Sequence, residues 1–324
     1  MTRTDSMLSR HEAASVSPRD ARTKSLAREF LTLSKPGITR LVTVASAAGF
    51  GLASFRSGGG GEGLAIAAAG CVLGTAAASA GANALNQVIE VERDAIMART
   101  ASRPLPSGRL TRPQGLAFAL ACSVAGPLLL ALTTNWVAAS LAALTVVLYV
   151  AVYTPLKLVS PISTFVGAIP GALPCVIGWT AGSAEPLAEL GRLPAWSFFV
   201  VLLTWQIPHF LAIAMMYREQ YTSAGFVPIS PNASSKRVAL QIVAWTGLTV
   251  LASAVPLAVM PESIGVLYAS VAALSGAFFL SQAVSMLQSP TKAAARAVFF
   301  ASIGYLPIVF IALVIDAFAW NPEL

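Results

Sequence analysis

The chain has 324 residues, of which 56% are hydrophobic and only 11% are charged, and this balance excludes an ordinary soluble globular protein. Its formal net charge is +7, but the basic residues cluster in alternate connections between apolar runs. That arrangement indicates orientation in a membrane and argues against nucleic acid as the partner. The apolar runs are continuous and about 20 residues long, which favours membrane-spanning helices over a β-barrel.

The chain begins with a polar stretch, residues 1–33, which is rich in Arg, Ser and Ala and predicts a disordered cytoplasmic tail. Residues 34–320 then form a single predicted intramembrane domain. The fold class expected is all-α: a polytopic membrane protein with about nine transmembrane helices bundled around a central cavity. The predicted spans are 41–55, 64–85, 114–133, 136–153, 162–181, 196–217, 238–259, 264–286 and 295–318.

The Lys and Arg residues are distributed unevenly between the two sides of this bundle. All of the 21 except Arg56 and Arg192 fall on one side. The positive-inside rule assigns that side to the cytoplasm, together with the N-terminus, and puts the C-terminus outside. The sequence therefore predicts an integral protein of a bacterial inner membrane whose polar loops face the cytoplasm.

Two spans have a composition that suggests room for a ligand. The second is rich in Ala, Gly and Ser, and such small residues let helices approach closely or leave space beside the backbone. The fifth carries Gly and Pro at five positions, which predicts kinks that line a cavity. Those five residues are Gly167, Pro170, Gly171, Pro174 and Gly178.

A polar stretch, residues 83–112, follows the second span and contains three acids and five arginines. Asn86, Glu90 and Asp94 stand four residues apart, so on a helix they share one face. Carboxylate and amide oxygens are ligands that suit Mg²⁺, which usually shares them with phosphate. A solvated basic loop is the alternative interpretation, but it does not require the acidic stripe.

Four arginines come directly after the stripe and could grip phosphate oxygens bidentately. They are Arg99, Arg103, Arg109 and Arg112. A second polar island, Arg218 to Tyr221, follows the sixth span, four helices after the first island at residues 83–112. This weakly suggests an internal repeat with a site between its halves. Charges at one membrane face beneath small-residue helices suggest an amphipathic substrate, and a prenyl diphosphate fits that description.

Three blocks in order along the chain resemble the UbiA-type intramembrane prenyltransferase superfamily, and within it the protoheme IX farnesyltransferase (haem O synthase) branch. The first block begins NQVIEVERD at residue 86 and ends RPLPSG at residue 108. The second comprises YTPLK at 153–157 and GAIPGALP at 167–174, and the third comprises WQIPHF at 205–210 and REQY at 218–221. The resemblance covers roughly residues 35–230.

The resemblance implies transfer of the farnesyl group of farnesyl diphosphate to the 2-vinyl group of haem B, followed by addition of water. The product would be haem O, which supplies haem–copper oxidase assembly. It implies Mg²⁺ as the cofactor, with Asn86, Glu90 and Asp94 as both the catalytic set and the metal ligands. The residues implied to bind the diphosphate are Arg99, Arg103, Tyr153, Lys157 and Arg218.

The third block departs from the family pattern, which usually has an acid before the tyrosine where this chain has Gln220. An amide binds Mg²⁺ less well than a carboxylate, so a second metal position depends on Glu219. His209 lies in the same block. A lone helical histidine is more often a packing residue, but its membrane position and the resemblance favour contact with haem, through the iron or a propionate.

Two other functions compete with this prediction. One is a UbiA-type prenyltransferase that acts on an aromatic acid or quinone precursor, because the RPLP run is shared with such enzymes. The other is a secondary transporter. The position of the charges, at one membrane edge and not near the midplane, argues against it. A haem-delivery protein or haem A synthase is an expected partner beside the bilayer and the two substrates.

Overall fold

The computed structural model describes residues 26–58 and 62–319, which are mostly helical and contain no strand. One π-helical turn, Leu148–Tyr153, interrupts the fourth span. The helices are α1 (Leu26–Leu33), α2 (Pro36–Arg56), α3 (Leu64–Ile89), α4 (Val91–Ile96), α5 (Arg112–Thr133), α6 (Trp136–Val147), α7 (Thr154–Leu156), α8 (Ser163–Gly182), α9 (Pro186–Glu189), α10 (Leu193–Met216), α11 (Arg218–Ser223), α12 (Ser235–Ala252), α13 (Val255–Val259), α14 (Val266–Gln288) and α15 (Lys292–Ala319).

Within the described ranges, nine helical segments are long and apolar enough to cross a membrane, which confirms the predicted all-α polytopic fold. Their order matches the prediction, but several ends differ. The first span begins at Pro36 and not at residue 41. The first turn of a helix accepts proline, because the N–H that proline lacks would have no partner there. The seventh span bends between α12 and α13 and is not one straight helix.

The centre of the bundle is the contact between α2 and α8, which joins the first and fifth spans. Helix α10 packs on α8, α12 and α15, while α3 packs on α2 and α5. In the most apolar 18-residue segment of α8, 72% is buried inside the protein, a larger share than in any other described span. This helix therefore lies between the first four spans and the last four.

Glycines allow α2 and α8 to touch backbone to backbone. A Cβ added at Gly178 would overlap the carbonyl oxygen of Ser46, and one at Gly49 would overlap that of Cys175. Inside a bilayer the hydrophobic effect does not hold helices together, so close van der Waals packing of this kind stabilises their contact. Helix α8 remains continuous despite Pro170 and Pro174, and both prolines line a cavity, as the sequence predicts.

The prediction of a disordered tail over residues 1–33 is wrong for its last eight residues. Residues 26–33 form helix α1, whose Leu33 is fully buried against α3 and α5. The remainder of that prediction, residues 1–25, lies outside the described residues. The helix is fixed by an ion pair between Glu29 Oε2 and Arg109 Nε at 3.0 Å.

Candidate active site

The predicted stripe of Asn86, Glu90 and Asp94 forms one buried face at the end of α3. The helix breaks at Glu90, but its backbone hydrogen bonds continue: Glu90 N donates to Asn86 O at 3.0 Å and Asp94 N donates to Glu90 O at 2.8 Å. The register of four is therefore kept, and none of the three residues is more than 5% exposed. Buried carboxylates need compensation by cations or hydrogen bonds.

Each carboxylate of the stripe has its own cation. Asp94 Oδ2 accepts a hydrogen bond from Arg103 Nη1 at 2.6 Å. Glu90 Oε1 forms an ion pair with Lys157 Nζ, which brings the second motif block against the first. Thr100 Oγ1 donates to the Asp94 carbonyl at 2.8 Å and fixes the turn that presents Arg103. These contacts stabilise two charges that burial alone would penalise.

Lys35 is a member of this cluster that the sequence did not identify. Its Nζ donates to Asn86 Oδ1 at 2.8 Å. Its backbone is left-handed, with φ 51° and ψ 69°, which is uncommon for a residue with a side chain and costs energy. Burial, and after it the charges of Arg103 and Lys157, lower the pKa of Lys35 to about 7 in spite of the nearby acids Glu90 and Asp94.

The π-helical turn positions the residues of the second block. The Asn86 amide Nδ2 donates to Thr154 Oγ1 at 3.2 Å, and Thr154 donates in turn to the carbonyl of Tyr149 at 2.8 Å. The Lys157 ammonium lies 4.9 Å from the centre of the Tyr153 ring and 5.3 Å from that of Phe226, within cation–π range. A π-turn inside a helix is often found at a functional site.

The two polar islands meet, as the weak repeat suggested. Arg99 Nη2 donates to Tyr221 OH at 3.1 Å, and its guanidinium lies 5.3 Å from the ring centre of Tyr217. Arg93 Nη1 donates to the Ala224 carbonyl at 2.8 Å. Gln220 accepts a hydrogen bond from the Arg99 backbone N–H at 3.3 Å. The amide that stands where the family usually has an acid therefore links the second island to the first.

Other predicted residues lie outside this cluster. Arg218 Nη2 donates to the carbonyls of Pro231 and Ala233, at 3.0 and 2.9 Å, and so ties down a loop. Arg109 is paired with Glu29, and Arg112 with the exposed Glu92. Glu219 is exposed in the first turn of α11. Among the described residues, no three His, Cys, Asp or Glu side chains come together at metal-binding spacing.

A cavity lies next to the cluster, between α2, α3, α6 and α8. Asn83, one turn before Asn86, and Tyr149, whose ring centre lies 5.1 Å from that of Tyr153, line its near end. The cavity is narrow, with a volume of about 70 Å³. Three buried or half-buried cations, two carboxylates and an apolar cavity thus adjoin, an arrangement suited to an anionic head with an apolar tail.

His209 lies in another part of the bundle, between α10 and α15. Its ring is stacked between Trp205 and Phe299, with centroids 5.1 and 5.0 Å away. Nδ1 shares a 2.7 Å hydrogen bond with Ser302 Oγ. The hydrogen bond at one ring nitrogen fixes the orientation of the other, Nε2.

The chain matches the model of the UbiA prenyltransferase family over residues 41–306. Two relatives named protoheme IX farnesyltransferase come from Opitutus terrae and an Anaeromyxobacter species. The first is 42% identical over 76% of this chain and 81% of its own, and the second 38% identical over 92% and 97%. A UbiA homologue from Archaeoglobus fulgidus, solved with DMAPP and Mg²⁺, superposes with a TM-score of 0.65. It is 15% identical over 91% of this chain and all of its own, so this likeness concerns the fold alone.

Proposed function

Because this chain belongs to the UbiA prenyltransferase family, we propose that it transfers the farnesyl group of farnesyl diphosphate to the 2-vinyl group of haem B. Water adds in the same reaction, and the product is haem O. The names of the relatives favour haem over an aromatic acid as the acceptor. The observation that carries the proposal is the junction of the buried charge cluster with the apolar cavity.

The cations of the cluster are assigned to the diphosphate. Lys157 is paired with Glu90 and Arg103 with Asp94, and Lys35 donates to Asn86. Arg99 contacts the second island through Gln220. Arginine forks match phosphate oxygens, while lysines act as point charges. Tyr153 supplies a phenol beside Lys157 and is assigned as a hydrogen-bond donor to the leaving group.

Asn86, Glu90 and Asp94 are assigned to Mg²⁺. Their oxygen donors are buried on one face, and Mg²⁺ is commonly held by one or two carboxylates plus substrate phosphate, so the residues present fit the ion. The bound ion would neutralise charge on the departing diphosphate. Glu219 is assigned as a peripheral ligand, and the Mg²⁺ dependence of turnover in the Glu219→Gln variant tests this role.

Binding exchanges partners inside the cluster. Without substrate, Glu90 is paired with Lys157 and Asp94 with Arg103. With magnesium and diphosphate bound, Glu90 and Asp94 would hold the metal, and Lys157 and Arg103 would face the phosphate oxygens. Both buried carboxylates would then have a cationic partner in either state, which matters because an uncompensated buried charge is strongly destabilising.

The reaction then balances as follows. The C1–O bond of farnesyl diphosphate breaks, and diphosphate leaves with the electron pair. The terminal vinyl carbon of haem B bonds to C1, which leaves a cation on the inner vinyl carbon. Water bonds to that carbon and releases a proton, giving the hydroxyl of haem O. The apolar cavity shields the allylic carbon from water until the new carbon–carbon bond has formed.

The haem side of the site is assigned to His209. The rings of Trp205 and Phe299 cover its faces, and Ser302 holds Nδ1. Because the Ser302 hydroxyl donates to the Phe299 carbonyl, Nδ1 carries the proton, and Nε2 remains for haem, as an iron ligand or, when the ring is protonated, as a donor to a propionate. Arg218, which ties the loop at Pro231, contributes to diphosphate binding by positioning the neighbouring Glu219 and Gln220 region.

The protein is an integral membrane protein, and we assign it to a bacterial inner membrane with the N-terminus and the charge cluster on the cytoplasmic side. Reporter fusions at the predicted cytoplasmic and external loops test this orientation. A haem-delivery protein or haem A synthase is the proposed partner, since both haem substrate and haem product are poorly soluble.

Purified protein supplied with haem B, farnesyl diphosphate and Mg²⁺ should yield haem O, identified by its mass. The control replaces haem B with 4-hydroxybenzoate under the same conditions. Formation of the prenylated aromatic acid, or no product where the Opitutus relative is active, would overturn the assignment. Transport would be indicated instead by uptake of a labelled solute into proteoliposomes without any chemical change.

A further inference from the structure

The cavity next to the charge cluster ends, in the direction of α3, at Thr75. Along α3 it is lined by Asn83, Ser79 and Thr75, on successive turns leading away from Asn86. Cys71, one further turn along, does not line the cavity and is fully buried. The lining therefore stops at Thr75.

A hydrogen-bonded group of side chains forms that end. Ser46 Oγ lies 3.0 Å from Thr75 Oγ1 and 3.3 Å from Cys71 Sγ. All three residues are almost or fully inaccessible to solvent. Directly beside them, α2 and α8 touch at Gly178, where even a Cβ would overlap the Ser46 carbonyl oxygen. There is no space for a chain to continue along this path.

The polar side chains along the cavity have partners of their own. Ser79 Oγ lies 3.3 Å from Thr39 Oγ1, and Thr145 Oγ1 donates to the Leu141 carbonyl at 2.7 Å. With Thr75 bonded to Ser46, their hydroxyl groups need no water inside the cavity. The walls therefore accept hydrocarbon.

The distance along α3 from Thr75 to the charge cluster agrees with one length of isoprenoid. Thr75 lies eleven positions before Asn86 on α3, which is about 16 Å at 1.5 Å per residue. The main chain of a farnesyl group has eleven carbon–carbon bonds, and an extended chain advances about 1.2 Å per bond, which gives about 13 Å. The C–O–P bridge to the diphosphate takes up the remaining distance. A geranylgeranyl group is longer by four bonds, or about 5 Å.

From this agreement we propose that Thr75, held by Ser46 and backed by Cys71, is a floor that sets the length of the prenyl donor at fifteen carbons. The proposal rests on the proposed function and deepens it, since it assigns the specificity of the same site. Geranylgeranyl diphosphate must displace the floor to place C1 beside the charge cluster. Geranyl diphosphate reaches the cluster but leaves the far end of the cavity unfilled.

The test compares geranyl, farnesyl and geranylgeranyl diphosphates as donors to haem B. The wild-type protein should use farnesyl diphosphate with a kcat/KM at least about tenfold above that of the geranylgeranyl donor. Removing the floor in a Thr75→Ala, Cys71→Gly double variant should raise the geranylgeranyl-to-farnesyl ratio about tenfold. Ser79→Phe, one turn nearer the cluster, should move the preference toward geranyl diphosphate.

Thr249→Ala is the matched control, because Thr249 is a buried, hydrogen-bonded threonine like Thr75 but lies on α12 and does not line the cavity. It should leave the donor ratio unchanged. Equilibrium binding of labelled prenyl diphosphates, measured without haem, provides a readout that does not depend on turnover. It also covers variants with low activity.

Equal use of fifteen- and twenty-carbon donors by the wild-type protein would overturn the floor, as would variants that change the total rate but keep the ratio. A third result would refute the proposed function but support Thr75 as the floor. In that case the binding ratio shifts as expected in the variants, but haem is not prenylated by any donor.

Discussion

Asp94→Asn should nearly abolish haem O formation while the protein keeps its helical fold. The substitution keeps the size of the side chain but removes the charge that pairs with Arg103 at 2.6 Å. Loss of a single electrostatic contact in an active site typically lowers kcat about 10²–10³-fold. Because Asp94 is also an assigned magnesium ligand, the remaining activity should require a higher Mg²⁺ concentration.

The same substitution also has a cost in stability. Breaking a fully buried ion pair costs about 3–5 kcal/mol, because the remaining charge loses its partner. The Asp94 side chain is 1% exposed but that of Arg103 is 23% exposed, so water can solvate the remaining cation in part. We therefore expect a loss of about 2 kcal/mol, measured as a lower thermal unfolding midpoint in detergent.

The chain offers a matched control in Glu29→Gln. Glu29 is a second buried acid paired with an arginine, Arg109, at 3.0 Å, with side-chain exposures of 4% and 35%. This pair fixes helix α1 and lies outside the charge cluster. Glu29→Gln should lower the unfolding midpoint by a similar amount, while haem O formation at a temperature well below that midpoint stays close to the wild-type rate.

Three outcomes would refute the reasoning. Equal losses of activity in the two variants would mean that stability, and not chemistry, explains the effect of Asp94→Asn. Normal turnover by Asp94→Asn would remove this residue from the metal and diphosphate site. An unchanged Mg²⁺ requirement, with turnover reduced, would restrict its role to positioning Arg103.

Three further predictions test other parts of the molecule. Lys35→Met removes a cation from Asn86 and should raise the KM for farnesyl diphosphate about tenfold, measured by steady-state kinetics with haem B saturating. His209→Ala should weaken haem binding in a Soret titration, and Ser302→Ala, which frees Nδ1 but keeps the ring, should weaken it less; equal affinity in all three proteins would leave His209 a packing residue. Gly178→Val should abolish the yield of folded protein because the α2–α8 contact has no space for it, whereas Gly247→Ala, with no neighbouring atom at its Cβ, should be tolerated.

Much of the fold could be predicted from the sequence because a bilayer requires long apolar helices, and such runs are visible without any tertiary information. The stripe of Asn86, Glu90 and Asp94 was visible for a similar reason, since helical periodicity is local. The break of the helix at Glu90 does not move these residues off their common face, because the backbone hydrogen bonds keep their spacing of four.

The features that the sequence did not predict depend on contacts between distant residues. Helix α1 is short and amphipathic, and only the fold reveals that Leu33 packs against α3 and that Glu29 meets Arg109. Lys35 resembles an ordinary basic residue at the head of a membrane span. Its left-handed backbone before Pro36 was the only local anomaly, and backbone angles are not visible in a sequence.

The second island also has a different role from the one its composition suggests. An acid-rich second motif would place metal ligands opposite the first, but here Gln220 accepts from Arg99 and Arg218 holds the loop at Pro231. Glu219 is exposed, so the two buried carboxylates belong to the first island alone. An island that contributes arginine and tyrosine contacts positions the cations that hold the diphosphate. The loss in Asp94→Asn should accordingly exceed the loss in Glu219→Gln, and the difference between them measures how unequally the two halves share the metal.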